Sequence, residues 1–188
     1  IKDRNIHFMI SVPAFLRLLR TTLEAEIRNA PKFYQMMFKF NFSYVAKFIP
    51  FRWVKKLLFR RLHNCFGGHF RSFMSGGAPL EYEVGRFFET IGIKVFQGYG
   101  LSETSPVVSV NYDKRHDIAS VGRPLPGFEA RIDKETGELQ LKGDSIMKGY
   151  HNQPEMTAEV IDEDGWLHTG DLGEINEYGQ VRITGRLK

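Results

Sequence analysis

Apolar positions in residues 1–80 recur at three- and four-residue intervals. In "VPAFLRLLRTTLEAEIRN" Phe15, Leu18, Leu19, Leu23 and Ile27 stand at helical spacing. A second helical run, "FYQMMFKFNFSYVAKF", follows Pro31, and Pro50 separates it from a third, "FRWVKKLLFRRLHNCF", which Gly67 and Gly68 end. From Pro79 to Gly127 the pattern changes: a helix over "LEYEVGRFFETIG", strands over "KVFQGYG" and "VVSVN", then the punctuated loop "VGRPLPG". Strands preceded by a helix predict a buried sheet of α/β type. After that, "FEARID", "GELQLKG", "LGEIN" and "GQVRITG" alternate apolar and polar residues between Gly, Asp and Asn, the pattern of a small antiparallel β-barrel-like subdomain. The predicted organisation is an α/β part over 1–127 and a β subdomain over 128–188.

Charge sharpens this division. Residues 27–80 hold ten Lys/Arg and no Asp or Glu, whereas the rest of the chain holds sixteen basic and twenty-two acidic residues. Thirteen of the twenty-five aromatic residues lie in that basic stretch, among them Phe38, Phe40, Phe42, Tyr44, Phe48, Phe51, Trp53, Phe59 and Phe66. Cations interleaved with aromatics read as an interface. In "WVKKLLFRRL", Trp53, Val54, Leu57, Leu58 and Leu62 alternate with Lys55, Lys56, Arg60 and Arg61, a helix for a lipid headgroup layer or, equally, a packing helix with a solvated basic face. No nucleic-acid-binding motif accompanies the charge, and no nucleic-acid partner is expected. The single cysteine, Cys65, permits no internal disulfide and no thiolate metal site, which places the chain in a reducing, cytoplasmic setting. No segment approaches the roughly 18 apolar residues of a membrane span. Ile1 followed by charged residues is neither a signal peptide nor a natural start, so the chain is expected to be cut from a longer one.

Candidate chemistry gathers at glycine-rich turns. "SGGAP" (75–79) and "GYG" (98–100) expose backbone N–H groups and allow close approach, which suits a phosphate and suits a tight turn equally. In "HTGD" (168–171), Asp171 can cap a turn or accept hydrogen bonds from a sugar diol. Glu103 is the lone carboxylate of "FQGYGLSETSP". Trp166 reads as a packing residue, and His116 and His168 as ordinary polar histidines.

Taken in order, "FMSGGAPL", "VFQGYGLSETSP", "SVGRPLPG", "DGWLHTGDLGEIN" and "ITGRLK" resemble the adenylate-forming (AMP-binding) superfamily of acyl-CoA synthetases, adenylation domains and luciferases. The cationic, aromatic helical insertion before "GGHFRSFMSGGAPL" is most similar to that of long-chain fatty-acid CoA ligases. The resemblance implies the later part of the large sheet-and-helix domain, and an enzyme that forms acyl-AMP from a fatty acid and ATP and then acyl-CoA. It implies Glu103 as the Mg²⁺ ligand, Ser102 beside the α-phosphate, and Tyr99 against adenine. Gly76, Gly77, Ala78, Gln97, Gly98 and Gly100 would line the adenine and acyl-carboxylate region, with Asp171 on the ribose hydroxyls and Arg186 on the ribose or α-phosphate. Lys188 matches the hinge before the family's small C-terminal domain. Two positions depart from the pattern: Ser102 stands where threonine is commoner and Lys188 where aspartate is frequent. The family's upstream phosphate loop and C-terminal catalytic lysine do not occur in these 188 residues, so by themselves they are expected to be inactive. A fatty acyl-AMP ligase delivering to a carrier protein, or a medium-chain or aryl acid CoA ligase, shares the same motifs. A membrane-surface module built on residues 27–80 is the alternative of another class, and a peripheral contact at the inner face of a membrane is expected from it.

Overall fold

The computed structural model describes residues 5–45, 48–112 and 115–187, so the hinge assignment of Lys188 lies outside the described residues. The chain divides into two compact units, Ile1–Phe96 and Gln97–Lys188.

In the first unit a short strand β1 (Phe8–Ser11) leads into the helix α1 (Pro13–Arg28). Pro13 at the first helical turn suits the start of α1, because the missing N–H would have no helical partner there. Helix α2 (Lys32–Phe40) continues into a π-helical turn, Asn41–Val45. The third predicted helix is two helices, α3 (Arg52–Leu58) and α4 (Arg60–Cys65), broken at Phe59, whose φ of −109° and ψ of 28° leave the helical region. The break seats the Phe59 ring in the core, where it is 0% exposed. Strand β2 (Ser72–Ser75) pairs in parallel with β1, from Phe8↔Ser72 to Ser11↔Ser75. Helix α5 (Tyr82–Thr90) then leads to β3 (Lys94–Tyr99), within which the division between units falls.

The aromatic stretch is divided between inside and outside. Phe59, Phe66, Phe70 and Phe73 are buried with Leu16, Leu62, Val84 and Phe88, each such ring contributing about 1.5–3 kcal/mol by leaving water. Phe70 and Phe73 are 4.5 Å apart by ring centroids, and Phe73 meets Phe88 edge-on at 5.2 Å. Phe33, Phe40, Phe48, Phe51 and Trp53 are exposed. The cations divide as well. Arg52 donates to the carbonyls of Gly92 and Phe70, Lys55 donates to the Glu89 carbonyl, and Arg61 lies over the Tyr34 ring at 5.1 Å. These three are packing cations, whereas Lys56 and Arg60 are exposed.

In the second unit the end of β3 pairs antiparallel with β4 (Ser109–Val110), which pairs with β5 (Arg123–Pro124). A four-stranded antiparallel half-barrel follows in chain order: β6 (Phe128–Ile132), β7 (Glu138–Gly143), β8 (Leu167–Ile175) and β9 (Val181–Arg186). Strand β6 begins at Phe128, inside the second unit. Helix α6 (Pro154–Val160), which the apolar pattern does not predict, lies between β7 and β8. Alternation places Leu139 and Leu141 on the inner face, where they form a core with Val108 and Val181. Glu138 faces Leu172 while Gln140 faces His168, so β8 spends extra residues, Thr169–Asp171, in a bulge.

Candidate functional site

The second unit gathers Tyr99, Asp171 and Arg186 at one point. Tyr99 ends β3 and its ring packs on the core of Val108, Leu139, Leu141 and Val181. Its hydroxyl donates to Asp171 Oδ2 at 2.7 Å. Arg186, at the end of β9 and paired in register with Asp171, brings Nε to 3.2 Å from Asp171 Oδ1. Asp171 is buried, at 8% exposure, and its carboxylate is met by a phenol on one oxygen and a guanidinium on the other. Burial, reinforced by the hydrogen bond to Asp171, pushes the Tyr99 phenol well above the usual tyrosine range, so Tyr99 remains a donor at physiological pH.

Glu103 sits in the 3₁₀ turn Ser102–Thr104, which follows the "GYG" segment. Thr104 is fully buried and its hydroxyl donates to the Leu101 carbonyl while accepting from the Leu101 N–H, fixing the turn. Gly100 is required just before it. A Cβ there would lie 1.7 Å from the Pro106 carbonyl oxygen, inside any van der Waals limit. The Met147 N–H donates to the Glu103 carbonyl at 2.7 Å, and the Tyr150 hydroxyl donates to Glu103 Oε1 at 2.8 Å. That hydrogen bond, more than burial, raises the Tyr150 phenol above its ordinary value. Ser102 is exposed beside it. Among the described residues no group of three or more His, Cys, Asp or Glu is gathered to hold a metal. A lone carboxylate of this kind suits Mg²⁺, which takes one or two protein carboxylates and completes its shell with water and phosphate oxygens.

The family model for AMP-binding enzymes matches residues 1–151. The chain belongs to this family. Tyr99, Ser102 and Glu103 of this member of the family lie within the matched residues, and Asp171 and Arg186 beyond them. The chain is 41% identical over 133 residues to the long-chain-fatty-acid–CoA ligase FadD15 of Mycobacterium bovis, covering 71% of this chain and 22% of that protein. It is 39% identical over 131 residues to the long-chain-fatty-acid–[acyl-carrier-protein] ligase AEE15 of Arabidopsis thaliana, covering 64% of this chain and 18% of that one. It is similar to the crystal structure of ATP-bound MatB from Rhodopseudomonas palustris, with a TM-score of 0.60 and 36% identity, covering 69% of this chain and 29% of that one. The chain thus spans about a fifth of the length of the curated relatives it matches.

Gly98 and Tyr99 pair with Val110 and Ser109 across the β3–β4 ladder. Gln97 is turned inward: it is 8% exposed, its side-chain amide donates to the Ile118 carbonyl, and its N–H donates to Asn111 Oδ1 at 2.6 Å. Its side chain holds the loop after β4 rather than facing a ligand. Gly76, Gly77 and Ala78 belong to the first unit, in the turn leaving β2, where the Gly76 N–H donates to the Ser11 carbonyl and Gly77 and Ala78 are exposed. Sequence reasoning missed Tyr150, the partner of Glu103. It lies forty-seven positions away on a segment without periodicity, and pairing over that separation leaves no local signal.

Proposed function

We propose that this chain is part of an enzyme that activates a long-chain fatty acid with ATP, forming acyl-AMP and then acyl-CoA. The observation that carries the reading is the convergence of Tyr99 and Arg186 on the buried Asp171 carboxylate, with the Glu103 turn in the same unit. A buried carboxylate with both oxygens oriented is suited to two ribose hydroxyls, and the neighbouring aromatic offers a flat surface for adenine. In the first step a substrate carboxylate oxygen attacks the α-phosphorus and the bond to pyrophosphate breaks. In the second, the CoA thiolate attacks the acyl carbonyl and AMP leaves. Both steps need positioning and charge neutralisation, with no covalent enzyme nucleophile. Glu103 would hold Mg²⁺, whose chemistry is to neutralise phosphate charge, and Ser102 would donate to the α-phosphate. Arg186, anchored on Asp171 through Nε, keeps its terminal nitrogens for ribose or phosphate. Gly98 and Gly100, in the same unit as Tyr99, would line the adenine and acyl-carboxylate region.

The names of the relatives at about 40% identity support the acyl class, and AEE15 keeps carrier protein as a second acceptor to be compared with CoA. The test is ATP–pyrophosphate exchange by the full-length protein across acid chain lengths. Exchange driven by long-chain acids and reduced by orders of magnitude in Glu103→Ala is expected. Exchange indifferent to long-chain acids, or undiminished in a folded Glu103→Ala protein, would overturn the assignment.

Residues 27–80 support a further part of this reading, contact with an anionic membrane at the cytoplasmic face. Among the described residues no helix is long and apolar enough to cross a membrane. The exposed Phe33, Met36, Phe40, Trp53 and Leu57, in a stretch with ten cations and no acids, match lipid headgroups and acyl chains in charge and polarity. Vesicles containing phosphatidylserine should bind the full-length protein, and Lys56→Gln with Arg60→Gln should weaken that binding. Equal binding to neutral vesicles would count against it.

A further inference from the structure

We propose that Glu138 is the positioning residue for Asp171, holding the β8 bulge that turns the Asp171 carboxylate toward Tyr99 and Arg186. The ribose consequence rests on the functional reading above. The starting point is a problem of backbone pairing: where β8 spends extra residues against β7, the ladder cannot supply a partner for every N–H. The Gly170 N–H is one of these, and it donates to Glu138 Oε1 at 2.8 Å. The other oxygen, Oε2, lies 2.9 Å from His168 Nδ1. Glu138 is 7% exposed, so from a buried position its carboxylate ties His168, just before the bulge, to Gly170 at its middle. Gly170 has φ of +70°, with no atom within 4 Å of where a Cβ would stand, so glycine serves the turn of the chain here rather than relieving a clash.

The remaining polar groups of the bulge are tied independently. The Thr169 hydroxyl donates to the Leu139 carbonyl at 2.6 Å and accepts from the Asp171 N–H at 3.1 Å, and the Gly170 carbonyl accepts from the Leu187 N–H at 2.7 Å. Glu138 supplies the partner that the backbone lacks. Removing it leaves a part-buried N–H unsatisfied, which favours slippage of β8 into regular pairing. Regular pairing would carry β8 two residues along β7, roughly 6–7 Å, and take the Asp171 carboxylate away from Tyr99 and Arg186.

The experiment uses full-length protein and calorimetric dissociation constants for ATP and 2′,3′-dideoxy-ATP, with the melting temperature recorded for each variant. Asp171→Ala is expected to abolish a preference for ATP of about tenfold to a hundredfold. Glu138→Ala and Glu138→Asp should abolish it too, the second because it keeps the charge but shortens the reach. Glu138→Gln should retain the preference, because an amide oxygen still accepts from Gly170. The aspartate and glutamine variants decide the question if the alanine variant does not fold. Retained preference in Glu138→Asp, or lost preference in a folded Glu138→Gln, overturns the proposal. If Asp171→Ala itself leaves the preference unchanged, the ribose reading fails. The carboxyl carbon resonance of Asp171 then decides positioning: a shift in Glu138→Asp but not in Glu138→Gln supports it, and no shift in Glu138→Asp overturns it.

Discussion

Replacing Tyr99 by Phe removes one hydroxyl and leaves the ring on its core partners Val108, Leu139, Leu141 and Val181. Asp171 loses its 2.7 Å donor and keeps Arg186 at 3.2 Å. The two partners differ in weight. A hydrogen bond to a charged acceptor contributes about 1.5–3 kcal/mol, and at 8% exposure Asp171 is little screened. The Arg186 side chain is 73% exposed, and solvent screening holds that pair to about 1 kcal/mol or less. Tyr99→Phe should therefore cost about 2 kcal/mol at neutral pH. The cost also has a pH signature. In the unfolded chain the phenol releases its proton near pH 10, whereas in the folded protein burial and then Asp171 hold the proton to higher pH. The stabilisation is full below about pH 10 and is lost as pH rises through the folded value, because the unfolded state then ionises first. Urea unfolding of wild type, Tyr99→Phe, Asp171→Asn and the double variant, at pH 7 and above pH 10, measures both quantities. A coupling energy of about 1 kcal/mol or more is expected, with wild type losing more stability than Tyr99→Phe at alkaline pH. Coupling below about 0.3 kcal/mol, with parallel losses at high pH, would refute the reasoning.

Gly100→Ala places a Cβ 1.7 Å from the Pro106 carbonyl oxygen, a backbone clash that no rotamer relieves. It should destabilise by about 3 kcal/mol, and a chemical-denaturation midpoint equal to wild type would contradict the geometry. His63 is 1% exposed, with Nε2 2.8 Å from the Ile91 carbonyl, and its burial lowers the imidazole pKa. Its contribution is present above about pH 6.5 and lost as pH falls, since the unfolded chain takes up the proton first, and His63→Gln should flatten that acid limb of the stability curve.

The periodic parts of the fold are legible in the sequence. Of the helical positions Phe15, Leu18, Leu19, Leu23 and Ile27, the structure buries Leu23 and Ile27, leaves Leu18 exposed and buries Leu16, outside that set, while the alternation of Leu139 and Leu141 marks the inner side of the half-barrel. Strands β1 and β2, four residues each, are too short for alternation to separate them from the helical runs around them. The break at Phe59 is tertiary in origin, since a ring buried among other rings overrides the propensity of an otherwise continuous helical run. At the site, Glu103 and Asp171 stand out as lone acids in glycine-rich turns. Their partners Tyr150 and Tyr99 are forty-seven and seventy-two positions away, distances at which only folding establishes a pairing. The glycine within "HTGD" did carry a signal for the bulge, because glycine inside a strand marks places where pairing is interrupted.

The two kinds of cation on α3 and α4 have different freedom to drift. Arg52 and Lys55 donate to carbonyls at Gly92, Phe70 and Glu89, and a Cβ at Gly92 would stand 2.9 Å from the Lys55 Cβ. Arg52, Lys55 and Gly92 are therefore bound to one another across generations, since a change at one alters what the others can be. Among the described residues Lys56 and Arg60 make no such bond to the fold's interior, and they can be traded for neutral or acidic residues one at a time. Selection on surface charge in a descendant of this chain would thus act through Lys56 and Arg60, while Arg52 and Lys55 would be retained even where a positive surface had lost its use.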